Sequence, residues 1–176
     1  VAIRDRLEGL AAQFENGETL ELQWQQLTPS GVAKLSASQT MPAGKARLAL
    51  VYTAPFNESL EGLYKVEAGD ESYAYTQFEA TSARLAFPSF DEPAYKVPFD
   101  VSLTIPEQFV AVTNTPVLAE SSNGDGSKTV VFATTKPLPT YLVAFAVGAF
   151  DVVEWEPIPA SKLREQPLPL RGITTK

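Results

Sequence analysis

The sequence predicts an all-β fold, an antiparallel β-sandwich or curled sheet, and three observations carry that prediction. Short runs alternating apolar and polar residues recur along the chain, as strands with one buried face do. Clusters of Gly, Pro, Asn and Ser separate them and supply the backbone angles of chain reversals. Long apolar runs with helical period do not intervene, which points away from alternating strands and helices.

Taken in order, residues 1–14 are ambiguous. Ile3, Leu7 and Leu10 fit a helical stripe as well as a strand. From Glu18 onward TLELQWQQL, VAKLSAS and ARLALVYTA read as strands, with Leu48, Leu50 and Tyr52 on one face of the third. NGE, TPSG and MPAG mark the turns around them. A second ladder comes after them as FDVSLTI, FVAVTN, PVLAES, KTVVFATT and the long run TYLVAFAVGAFDVVEW. Within it SSNGDGS, Ser121 to Ser127, is most economically a hairpin turn, because the further carboxylates of a calcium loop are missing around Asp125. Past Trp155 the texture becomes EPIPASKLREQPLPLRGITTK, whose prolines cannot donate ladder hydrogen bonds. The expected organisation is one β domain over 1–155 and a Pro-rich exit segment or linker over 156–176.

Charge and missing residue types narrow the chemistry. A formal net charge of −7 repels a phosphate backbone, so no nucleic-acid partner is expected. Neither Cys nor His occurs, which removes the commonest zinc ligands, the usual neutral-pH base and every thiol nucleophile. It also leaves the redox compartment unreadable. No apolar run reaches the length of a membrane span, and VAIRDRLEGLAAQF lacks the pattern of a signal peptide. Its start is expected to be truncated.

One stretch concentrates functional groups: TQFEATSARLAFPSFDEPAYK, Thr76 to Lys96, sets Gln77, Glu79, Arg84, Asp91 and Glu92 among aromatic residues and prolines. By residue type Glu79 has three readings. It is half of a carboxylate pair for glycoside hydrolysis with Asp91 or Glu92, a cation ligand, or a solvated loop residue. For Asp91 and Glu92 the plainer reading is bonding to nearby amides or to Arg84 at a chain reversal.

This stretch resembles the signature of the amino-terminal β domain of the aminopeptidase N family of zinc metallopeptidases. Thr-Gln-X-Glu, Ala-Arg and Phe-Pro-X-Phe-Asp-Glu-Pro occur in order, followed by a Lys and a strand opening Phe-Asp. GLYKV before the motif, YLVAFAVGAF and the LRGITTK exit extend the likeness over roughly 54–176, while 1–53 match only in strand texture. The resemblance implies a saddle-like β domain that caps a catalytic cleft. It implies that Glu79 holds the substrate's free α-amino group and that Gln77 lines the first side-chain pocket. Arg84, Asp91 and Glu92 are then structural support, with Phe87, Pro88 and Phe90 packed beneath the loop. Ser89, where the family often carries Cys, is expected to be a packing position.

The family's HExxH helix and Gly-X-Met-Glu-Asn loop are absent from these residues. The resemblance therefore implies zinc in the parent enzyme, where it would polarise the carbonyl and activate water, and no metal or activity in this chain alone. Its implied partners are peptide amino termini and a catalytic domain of the same chain. The rival reading is a stand-alone β-sandwich binding module that uses exposed aromatic residues.

Overall fold

The structure, a computed structural model, describes residues 7–176. It is all-β and antiparallel, with sheets that do not close into a barrel. The chain divides into two compact units, one ending at Phe56 and the other spanning Asn57–Lys176.

The first unit is a four-stranded sheet of β1 (Leu7–Phe14), β2 (Thr19–Gln26), β3 (Ala33–Ala37) and β4 (Ala46–Tyr52), in the order β3-β2-β1-β4. The ambiguous opening thus resolves to a strand from Leu7, whereas Ile3 lies outside the described residues. Strand period explains the choice. Leu10, Ala12 and Phe14 alternate onto one face and meet Leu20 and Leu22 of β2 in a buried cluster. Turns at Gly17 and Gly31 take positive φ, as the NGE and TPSG readings require.

In the second unit β5 (Gly62–Ala68), β6 (Glu71–Gln77), β11 (Phe145–Gly148) and β8 (Val110–Thr113) form one sheet in that order. A second sheet has the order β7-β10-β9, from Ser102–Pro106, Ser127–Phe132 and Val117–Ser122. The two share a cluster in which Ile105, Val130 and Phe132 meet Ala111, with Val147 packed against it. Ser122 and Ser127 end β9 and begin β10, so SSNGDGS is the hairpin connection; Gly124 and Gly126 take positive φ there.

The long run TYLVAFAVGAFDVVEW is not one strand. Thr140–Leu142 is a 3-10 turn, β11 comes next, and β12 (Asp151–Ile158) starts after a break at Ala149 and Phe150, both buried. Gly148, the last residue of β11, is closely packed. A Cβ on Gly148 would lie 2.3 Å from Cδ1 of Tyr73, so the ring of Tyr73 occupies the space over the end of β11. β12 pairs with β13 (Leu168–Thr174), which places part of the Pro-rich exit in a two-stranded ribbon.

Candidate functional site

The site begins where β6 ends. Gln77 is its last residue, paired with Gly62 of β5, and its side chain points into solvent. Next, Phe78 turns inward and is buried, with its ring edge-on to Phe87 at 5.6 Å and to Phe145 at 6.5 Å. Glu79 then faces out again. Among the described residues its carboxylate has no hydrogen-bond or ion-pair partner. The Glu79–Ala80 peptide bond is cis.

Ser82 and Ala83 anchor the turn beyond Glu79. Ser82 donates its amide to the Phe78 carbonyl at 2.9 Å, and Ala83, wholly buried, opens a 3-10 turn over Ala83–Leu85. Gly62 makes room for that turn, since a Cβ there would come within 2.8 Å of Leu85 Cβ, and its φ of +67° favours glycine independently. Ala83, Phe78 and Val143 form the cluster beneath, joined by Phe87 and Phe99.

Asp91 closes the loop. Its Oδ2 accepts the Arg84 amide at 3.0 Å and Arg84 Nε at 2.9 Å, while Arg84 Nη2 donates to the Asp91 carbonyl at 2.7 Å. Its Oδ1 accepts the Thr140 hydroxyl at 2.5 Å. Both Asp91 and Thr140 are buried, so a carboxylate out of water is satisfied on both oxygens by an ion pair and neutral donors. At the other flank, Thr76 Oγ1 accepts the Phe145 amide at 3.0 Å and lies 3.3 Å from the Phe145 carbonyl. The strand end before Gln77 is therefore tied across to β11.

The residues singled out in the sequence separate into two groups. Arg84 and Asp91 come together in the knot. Gln77 and Glu79 stand exposed on either side of the inward-facing Phe78. Glu92 stays exposed: its carbonyl accepts the Tyr95 amide at 3.0 Å, and among the described residues its carboxylate bonds nothing. Phe87 packs beneath the loop as expected, but Phe90 is 81% exposed and meets only Tyr95 among the aromatic rings, at 6.0 Å. Asp91 turns inward at that point and leaves its neighbour Phe90 outside. Ser89 is likewise exposed, so it is not a packing position. Thr76 and Thr140 went unread in the sequence. Thr140 lies 49 residues from its partner, and no local pattern joins them.

An exposed acid, Glu79, thus stands just past a sheet end, on a loop cross-braced by Arg84 and Asp91. The chain belongs to the peptidase M1 N-terminal domain family, whose match covers residues 6–142. The match thus reaches back well before the motif-bearing stretch. The chain is 37% identical over 168 residues to aminopeptidase M1-B of Oryza sativa subsp. japonica, covering 93% of this chain and 18% of that protein. It is 41% identical over 108 residues to puromycin-sensitive aminopeptidase of Caenorhabditis elegans, 58% of this chain and 11% of the relative. With glutamyl aminopeptidase of Homo sapiens it shares 41% over 102 residues, 56% of this chain and 11% of the relative. The chain therefore spans less than a fifth of the length of these relatives.

Zinc does not fit the donor set found here. The sequence has no His or Cys, and among the described residues no three acidic side chains gather into a cation site. No helix among them is long and apolar enough to cross a membrane.

Proposed function

We propose that this domain forms one wall of the cleft of a zinc aminopeptidase and binds the amino terminus of the peptide substrate. Glu79 accepts hydrogen bonds from the α-ammonium group, and Gln77, on the same strand end, lines the space for the first side chain. Arg84 and Asp91 hold the turn that aims Glu79, with Glu92 at the edge of that support. One observation carries the reading: Glu79 is exposed and, among the described residues, unpartnered on a turn whose neighbours, Phe78, Ala83 and Asp91, are all buried.

The work of such a carboxylate is positional. A charge-assisted hydrogen bond to the ammonium group fixes the distance from the amino terminus to the scissile bond, so cleavage counts from that end. The metal is held by other parts of the enzyme, and this chain contributes binding and orientation.

Steady-state kinetics of the full-length enzyme tests this. Glu79→Ala is expected to lower kcat/KM for an unblocked peptide about 100-fold, equivalent to about 3 kcal/mol. Glu79→Gln, which keeps an acceptor but loses the charge, should fall between that variant and wild type. A Glu79→Ala enzyme with wild-type kcat/KM would refute the clamp.

A further inference from the structure

We infer that Thr140 is a positioning residue for Glu79, acting through Asp91 from a segment distant in sequence; this rests on the clamp reading above. The Thr140 hydroxyl gives Asp91 Oδ1 its hydrogen bond, while Arg84 takes up Oδ2. Thr140 and Asp91 are both nearly excluded from water, at 6% and 4% exposure. In such a setting a carboxylate oxygen left without its donor is costly, and the loop bearing it shifts to find another.

The turn that carries Thr140 is itself fixed from two sides. Asn114 of the β8–β9 connection donates its side-chain amide to the Leu142 carbonyl at 2.8 Å and accepts the Ala144 amide at 2.8 Å. Val143, between those two contacts, is buried in the cluster with Phe78 and Ala83, the residues on either side of Glu79 and its turn. Segment 140–144 thus meets the Glu79 loop twice, by a hydrogen bond to Asp91 at its far end and by apolar packing against Phe78 at its near end. That packing does not reach the far end, where Arg84 braces Asp91 from within the loop itself. Thr140 supplies the directional contact that fixes the loop's second anchor.

The distinction from a general stabilising role lies in coupling to Glu79. In the full-length enzyme Thr140→Val keeps the side chain's shape and removes the donor, whereas Thr140→Ser keeps the donor. With an unblocked peptide, Thr140→Val is expected to lower kcat/KM about tenfold, chiefly through KM, and Thr140→Ser to restore it to within about twofold of wild type. Combined with Glu79→Ala, the Thr140→Val loss should disappear, because the group it positions is gone. Circular dichroism melting of each variant shows that the folded enzyme is being compared, and Thr140→Ser carries the test where Thr140→Val does not fold: an impaired but folded Thr140→Ser enzyme would overturn the inference. Losses from Glu79→Ala and Thr140→Val that simply multiply would overturn this inference and leave the clamp standing. A silent Glu79→Ala would overturn the clamp itself and this inference with it.

Discussion

Two segments of the second unit, the Phe78–Asp91 loop and the β12–β13 ribbon, show opposite ways of holding a chain. The loop has only one 3-10 turn of regular structure, yet Phe78, Ala83 and Asp91 are buried and the Asp91 carboxylate is bonded on both oxygens. The ribbon has a regular antiparallel ladder, yet every residue of β12 is exposed and Trp155 is 60% accessible. Two-stranded ribbons are marginal in water because each buries so little. Regular hydrogen bonding thus says little about rigidity here. What fixes a segment is the apolar surface it removes from water and the absence of unpaired polar groups beneath it.

Substitutions at matched points should expose that contrast. The largest loss of stability is expected for Asp91→Ala, which strips Arg84 of its carboxylate and leaves the Thr140 hydroxyl without its acceptor. About 3 kcal/mol is the scale for breaking a buried ion pair from one side, and urea denaturation measures it. Trp155→Ala should cost less, about 1 kcal/mol or below, because the ring is mostly solvent-exposed already. Its local effect is larger than its global one. The ring lies over Gly172, where a Cβ would come within 2.6 Å of Cζ3, so hydrogen exchange of β12 amides should speed up on its removal. If Trp155→Ala destabilised as much as Asp91→Ala, the contrast between the segments would collapse.

The smallest effect belongs to the β9–β10 turn. Asp125 accepts the Ser127 hydroxyl at 2.6 Å and its amide at 3.0 Å, and these bonds hold the carboxyl below its ordinary range. A carboxyl with a folded-state pKa below its unfolded value adds stability above the unfolded pKa. That contribution is lost as pH falls through the folded value. Ser127→Ala removes the hydroxyl bond and should move the Asp125 titration, followed by carboxyl carbon NMR, upward toward the ordinary range. An unshifted titration would assign the depression to something other than Ser127.

How much of this was legible in the sequence differs between the same regions. The β9–β10 hairpin could be read because its turn residues and flanking alternation are local, as could the pairing of Arg84 with an acid seven residues away. β5 and β6 were not picked out as strands: β6 is half-buried along most of its length, so no clean alternation marks it. The packing of Tyr73 over Gly148 at the end of β11 joins residues far apart in sequence, which no local pattern shows. Phe90 illustrates the same limit within the motif. Its apolar character suggested burial, but the inward turn of Asp91 decides the matter and sets Phe90 outside. Glu79 was visible as a candidate by residue type, while its isolation from every described partner needed the fold.

The central claim is that Glu79 meets the substrate's amino terminus, and a crystal structure of the full-length enzyme with an uncleaved peptide tests it most directly. The clamp predicts a Glu79 carboxylate oxygen about 2.7–2.9 Å from the α-amino nitrogen, the distance of a charge-assisted hydrogen bond. A peptide bound with its amino group on other residues and Glu79 facing solvent would contradict it.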